Sequence, residues 1–129
     1  AKLLAHARAR VAIIESSATA IADAKFNLRE FPDVTFYEGD VAKEMKNIAR
    51  ADIVLLDPPR SGAELAVLDR IVAFAPRRIC YISCDPASLA RDSQRLAERG
   101  YQIAESAAYD LFPQTAHIEC VFTFEPVIS

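Results

Sequence analysis

The chain has no run of apolar residues near the ~18 that a membrane-spanning helix needs, no internal repeat and no low-complexity tract. What remains is the composition of a globular domain: 129 residues, 52% hydrophobic and 26% charged. A chain of that length buries roughly two-thirds of its unfolded surface, so one domain over residues 1–129 is expected. A basic excess is also lacking. With 15 Lys and Arg against 18 Asp and Glu the net charge is −3, which excludes a basic nucleic-acid clamp and leaves any RNA affinity to a local patch or another domain. Cysteine is scarce and odd in number: Cys80, Cys84 and Cys120. An odd count in a sequence without a signal-peptide pattern argues against a disulfide framework, for a reducing cytoplasm and for at least one free thiol. The spacing from Cys80 to Cys84, with no adjacent His or further Cys, is a poor zinc pattern, and no metal is expected.

Helical and strand patterns alternate along the chain, the signature of an α/β layered fold. Leu3 to Arg10 reads as the tail of a helix and Val11 to Ile14 as a buried strand. Ser16 to Arg29 reads as a helix with Ser16 as its N-cap. Val34 to Tyr37 follows as a strand, Val41 to Ile48 as a short helix, Ile53 to Leu56 as a fully buried strand and Glu64 to Phe74 as a helix ended by Pro76. Arg78 to Ile82 is the next strand and Pro86 to Arg99 the next helix, stopped by Gly100. Two strands close the chain, Tyr101 to Tyr109 and His117 to Phe124. The short link from Asp110 to Ala116 cannot make a parallel crossover, so the last strand is expected to run antiparallel, as in a methyltransferase-type sheet.

Two short segments carry the chemistry. Asp57-Pro58-Pro59-Arg60-Ser61-Gly62 and Ile82-Ser83-Cys84-Asp85-Pro86 each follow an apolar strand and precede a helix, which puts both at the carboxyl ends of neighbouring parallel strands. Open α/β sheets bind ligands there. The first loop offers a carboxylate restricted by two prolines. The second offers a thiol at a helix start, with Asp85 as N-cap and Pro86 at the first helical position. A carboxylate and a thiol so placed suit a planar, electrophilic substrate such as a nucleobase. Helix dipoles favour thiolate at Cys84, whereas the charge of Asp85 opposes it. Most free cysteines are small buried hydrophobes, and that is the reading for Cys80 and Cys120.

Three segments in order resemble the S-adenosylmethionine-dependent RNA uracil-5-methyltransferases: Leu55 to Gly62, Tyr81 to Asp92, and Phe112-Pro113-Gln114-Thr115-Ala116-His117-Ile118-Glu119. The resemblance covers essentially the whole chain. It implies a Rossmann-like class I methyltransferase sheet, mostly parallel with an antiparallel C-terminal strand, S-adenosylmethionine as cofactor, and tRNA or rRNA as partner. In that family the domain opens with a strand and a Gly-rich turn that hold the methionine part of the cofactor, and this sequence has neither. The expectation is therefore a piece of a longer protein that starts within the first helix after that turn and lacks the RNA-binding N-terminal domain. Such a piece is expected to be inactive by itself and, with a central strand missing and neighbouring edges exposed, to self-associate.

The resemblance also implies roles. Glu15, at a strand end, takes the ribose hydroxyls of the cofactor; on the residues alone it reads equally as an acid complementing the helix dipole. Asp40 resembles the position that binds the adenine amino group, with an ordinary N-cap as the alternative, and Gly39 beside it permits a tight turn. Asp57 faces the cofactor. Where adenine- and cytosine-amino methyltransferases follow a related Asp-Pro-Pro loop with an aromatic residue, this chain has Arg60, which binds a phosphate or pairs with an acid, and points to carbon methylation. Cys84 is the nucleophile: uracil C5 is too weak to take a methyl group unaided, and a thiolate adding at C6 makes C5 nucleophilic. Glu119 resembles the general base, and its apolar surroundings are expected to raise its pKa, although strand alternation alone would point it to solvent. His117 supports the glutamate or the RNA, or is a satisfied polar residue. The enzyme alternative is an RNA cytosine-5-methyltransferase, which would place a further cysteine after the Asp-Pro loop, where Arg60-Ser61-Gly62 stands. A non-catalytic cofactor-binding, RNA-binding or assembly module is the alternative of another class.

Overall fold

A computed structural model describes residues 9–110 and 118–128. The chain packs as two compact units, Ala1–Ala49 and Arg50–Ser129, each taken in turn.

In the first unit, strand β1 (Val11–Glu15) leads through helix α1 (Ala18–Asn27) to strand β2 (Val34–Glu38) and then to the short helix α2 (Val41–Glu44), continued by a 3-10 turn at Met45–Asn47. The two strands are parallel, in register from Val11 opposite Val34 to Glu15 opposite Glu38. This is a β-α-β unit with both strand carboxyl ends at one side. Two expectations are corrected here. The N-cap of α1 is Ser17, not Ser16: the Ser17 hydroxyl accepts the Ala20 amide at 3.2 Å. Glu15 Oε1 takes the Ser17 amide at 3.0 Å and the Ser16 hydroxyl at 3.4 Å, which holds Ser16 in a bend before the helix. Nor is β1 buried: Ala12 is exposed and the other residues are half-buried. Among the described residues the buried apolar side chains of this unit are few, namely Ile21, Leu28 and Met45. The expected helix tail from Leu3 lies mostly outside the described residues.

The second unit contains β3 (Ile53–Leu56), α3 (Leu65–Ala73), β4 (Arg78–Ser83), α4 (Pro86–Glu98), β5 (Tyr101–Tyr109) and β6 (Glu119–Pro126). Its sheet has the order β3-β4-β6-β5. β3 and β4 are parallel, and β6 runs antiparallel to both β4 and β5. The antiparallel last strand agrees with the sequence reading, but its seat between β4 and β5 could not be read from connectivity. Composition accounts for it: β6 carries Val121, Phe122 and Phe124, with Phe124 fully buried, whereas β5 is largely exposed after Tyr101. The polar, small-residue strand takes the edge. His117, where the sequence reading starts this strand, lies outside the described residues, as does most of the expected link from Asp110 to Ala116.

The fully buried side chains Leu68 and Ile71 of α3, Ile79 and Tyr81 of β4, Leu96 of α4 and Phe124 of β6 form the core. Each aliphatic or Phe side chain so buried stabilises the fold by about 1.5–3 kcal/mol. Arg95 and Asp69 join α4 to α3 through two hydrogen bonds, 3.1 Å at Nε and 2.9 Å at Nη2, and the Tyr101 hydroxyl donates to the Pro76 carbonyl at 2.8 Å. β3 departs from the fully buried strand that its run of Ile-Val-Leu-Leu suggests. Ile53 is 43% and Leu55 51% exposed, because β3 is the sheet's edge and one of its faces carries no covering layer within this unit.

Candidate active site at the strand carboxyl ends

In the first unit, Glu15 and Asp40 lie at the carboxyl ends of β1 and β2. The Gly39 amide donates to the Glu15 carbonyl at 3.0 Å, which ties the two ends together. Gly39 has φ of +151°, a backbone conformation that side-chain-bearing residues rarely adopt, which favours glycine at this approach. Glu15 is half-buried. Its hydrogen bonds within the described residues both fall on Oε1. Asp40 is exposed, and its Oδ2 accepts the Lys43 amide at 3.2 Å as the N-cap of α2.

In the second unit, parallel pairing of β3 with β4 ends with Leu56 opposite Tyr81. Asp57 therefore leaves the sheet beside β4, the strand that Cys84 follows, as the sequence reading expects. The antiparallel ladder of β4 with β6 ends with Ser83 opposite Cys120. Cys84 follows Ser83 and Glu119 precedes Cys120, so both lie just at this end of the ladder. The thiol and the carboxylate, 35 residues apart by number, are thus brought to one end of one sheet. Both are half-buried. Cys80 and Cys120 are also half-buried, not buried as expected; burial pushes the Cys80 thiol up from its ordinary pKa. Exposure does not single out Cys84. Its place beyond the end of β4, at the start of α4, does.

The loop after β3 is held by the helix that follows Cys84. Asp85 caps α4, its Oδ2 accepting the Ser88 amide at 2.9 Å and the Ser88 hydroxyl at 2.7 Å. Those two donors hold the Asp85 carboxyl below the usual carboxylate range. Pro86 occupies the first turn, as the sequence indicates. The Ser88 hydroxyl also lies against the Arg60 carbonyl, and Arg91 Nη2 donates to the Ser61 carbonyl at 2.7 Å. The Gly62 amide closes a turn onto the Pro59 carbonyl at 2.8 Å. Asp92, with no exposed surface, accepts the Ala63 amide at 2.8 Å. Its other partners are the Tyr81 hydroxyl at 2.5 Å and Arg91, through Nε at 3.1 Å and Nη2 at 2.9 Å. Burial, with the hydrogen bond to Asp92, keeps the Tyr81 phenol protonated far above its ordinary pKa. Asp57 and Arg60 are both exposed.

No role for Tyr81, Ser88, Arg91 or Asp92 is evident from strand and helix patterns alone. One signal was available. Ser88 and Asp92 repeat at four-residue spacing with Leu96, the core-facing stripe of α4, and a carboxylate on a buried stripe must have partners.

A mostly parallel sheet with one antiparallel strand near its C-terminal end, and reactive loops at the strand carboxyl ends, defines a Rossmann-like methyltransferase fold. The family model described as tRNA (Uracil-5-)-methyltransferase matches residues 3–126, and the chain belongs to that family. It is 43% identical over 118 residues to an uncharacterized RNA methyltransferase of Thermotoga maritima, covering 89% of this chain and 27% of the relative. It is 44% identical over 102 residues to the 23S rRNA (uracil(1939)-C(5))-methyltransferase RlmD of Klebsiella pneumoniae, covering 76% of this chain and 23% of the relative. Among solved structures, the tRNA (uracil-54, C5)-methyltransferase of Pyrococcus abyssi, in complex with S-adenosyl-L-homocysteine, superposes with a TM-score of 0.80 at 32% identity. That match covers 94% of this chain and 30% of the other. The chain therefore spans about a quarter of the length of the curated relatives it matches.

Proposed function

We propose that this chain is part of the methyltransferase domain of an enzyme that methylates C5 of uridine in tRNA or rRNA, with S-adenosylmethionine as donor. The observation that carries the reading is the β4–β6 pairing, which ends with Ser83 opposite Cys120 and so brings Cys84, next after Ser83, and Glu119, just before Cys120, to the same end of one sheet. Cys84 Sγ adds to C6 of the uracil, and the electrons of the C5–C6 double bond move to make C5 nucleophilic. S-adenosylmethionine, when bound, supplies an electrophilic methyl group to C5. The Glu119 carboxylate then takes the C5 proton, the double bond reforms and the Cys84 thiolate leaves. The thiolate is regenerated, and the methyl group has replaced one hydrogen.

The donor chemistry of the first unit suits the adenosyl half of the cofactor. A half-buried carboxylate oriented through one oxygen, as in Glu15, accepts a ribose diol with the other. Asp40, beside Gly39, takes the adenine amino group while remaining an N-cap. Asp57 is exposed in the strand-end loop that follows β3. Arg60, and His117 outside the described residues, contact the RNA. In the same reading residues 1–129 are one truncated domain in the cytoplasm, inactive alone, and the exposed β3 edge drives self-association. A strict monomer on size-exclusion chromatography would dismiss the last point.

The deciding experiment incubates the full-length gene product with S-adenosylmethionine and RNA containing 5-fluorouridine, beside Cys84→Ala. Fluorine cannot leave as a proton does, so a protein–RNA adduct accumulates if the reading is right and vanishes in the variant. Absence of an adduct in the unmodified protein, with cofactor binding intact, overturns it.

A further inference from the structure

The two loops at the end of the second unit's sheet are joined by a network that the proposed chemistry does not itself use. Asp57, on the first loop, and Cys84, on the second, belong to different strands, and nothing in a β-α-β connection requires their loops to keep a fixed spacing. Four side chains provide it. Ser88 and Arg91 of α4 bind the carbonyls of Arg60 and Ser61. Asp92 binds the Ala63 amide from α4 and the Tyr81 hydroxyl from β4. Gly62 sits inside this knot at φ of +83°, where a Cβ would meet Arg91 Nη2 and approach Asp92 Oδ2 to 2.7 Å. We propose that Asp92 is a positioning residue: its buried carboxylate locks the Pro59–Ala63 turn onto the helix that begins beside Cys84, so that the loops of Asp57 and Cys84 are held as one rigid element during methyl transfer.

The geometry separates this role from ordinary core packing. Asp92 Oδ2 serves the loop amide and the strand phenol, whereas Oδ1 serves Arg91. An apolar side chain of similar size would fill the volume and leave the Ala63 amide and the Tyr81 hydroxyl unpaired. An asparagine turned with its oxygen in the Oδ2 place keeps both of those bonds and loses only the pairing with Arg91. The three side chains therefore grade the lock: aspartate complete, asparagine partial, leucine absent.

This inference rests on the uracil-methylating reading, and its test separates the two. Asp92→Leu, Asp92→Asn and the unmodified full-length gene product are compared well below their unfolding temperatures, per folded molecule. The measurements are turnover, KM for RNA, 5-fluorouridine adduct formation and backbone amide exchange at Gly62 and Ala63. For the leucine variant the expected result is a kcat lower by about 100-fold, the effect of a misplaced reacting group, with KM changed less than about threefold. Its Ala63 amide exchanges faster by about tenfold or more, since the hydrogen bond that protects it is gone. Asparagine restores most of both. A merely structural Asp92 would lower the melting temperature and leave kcat per folded molecule unchanged, and that result overturns the proposal. Should the unmodified protein form no adduct, the uracil reading fails, and the lock is still judged by exchange: unchanged protection of Gly62 and Ala63 in Asp92→Leu overturns it.

Discussion

The two units hold their functional carboxylates in opposite ways. In residues 9–49 the hydrogen bonds of the Glu15 and Asp40 carboxylates come from neighbours in sequence, the Ser16 hydroxyl and the Ser17 and Lys43 amides, over a core of three buried apolar side chains. In residues 50–128 the turn after Asp57 is tied to a helix some thirty residues later by Ser88, Arg91 and Asp92, and that helix packs into a continuous core. In the proposed mechanism the locally capped carboxylates receive a cofactor that arrives and leaves in each cycle, whereas the thiol has to come within about 3–3.5 Å of C6 and be aligned with it. On that reading the contrast teaches that the tighter anchoring lies where the covalent bond is proposed to form.

The sharpest break in that contrast comes from the covalent end. Glu119→Gln should slow turnover of ordinary uridine by about 10²–10⁴-fold, the usual worth of a positioned base. The Cys84 adduct should then accumulate on unmodified RNA instead of disappearing; denaturing gels of the full-length gene product would reveal it, and a variant that turns over normally would remove Glu119 from the mechanism.

A smaller effect compares two glycines. Gly62→Ala should destabilise by about 2–3 kcal/mol, because a positive φ and a clash with the Arg91–Asp92 pair coincide there. Gly100→Ala, at φ of +90° with no atom within 4 Å of the added carbon, should cost only about 1–2 kcal/mol. Chemical denaturation of both variants checks the order, and equal losses would mean that the loop yields to the methyl group.

On the adaptable side, Glu15→Gln should weaken S-adenosylmethionine binding by about tenfold in calorimetric titration of the full-length gene product. Folding should hardly change, since among the described residues the side chain's hydrogen bonds stay within its own turn. A loss of stability with unaltered affinity would make Glu15 a helix-terminal acid and nothing more.

The smallest effect is electrostatic. The hydrogen bonds from Arg95, with Arg99 nearby, hold the Asp69 carboxyl below its ordinary 3.8. A lowered native pKa stabilises above the unfolded-state value, and the contribution is lost as pH falls through the folded one. Thermal melts should therefore show unmodified protein above Asp69→Asn near neutral pH, with the gap closing below about pH 4. The pair is partly exposed, so added salt should narrow the gap as well.

Much of this was legible in the order of residues. Alternating apolar segments, the Asp85-Pro86 helix start and Gly100 after α4 mark the elements because backbone propensity and capping act over a few neighbours. The same locality put Asp57 and Cys84 at strand ends, where reactive loops belong. The family signature extended this to Glu119, whose place at the same end of the sheet as Cys84 no spacing could reveal. What escaped was non-local. The run Ile53-Val54-Leu55-Leu56 reads as buried, yet whether a strand is covered on both faces depends on its place in the sheet. The helix pattern assigns Asp92 no role, and only the arrival of Ala63 and Tyr81 makes it a buried hub.

The sequence by itself determined the elements, the loops that carry the thiol and the first carboxylate, and the family. Tertiary structure decided that β6 enters between β4 and β5, bringing Glu119 toward Cys84, and that Asp92 of α4 grips the turn after Asp57. The physical reason is one of range: caps, turns and periodicity are written in adjacent residues, whereas strand order and buried hydrogen-bond networks come from desolvating groups that meet only when the chain has folded.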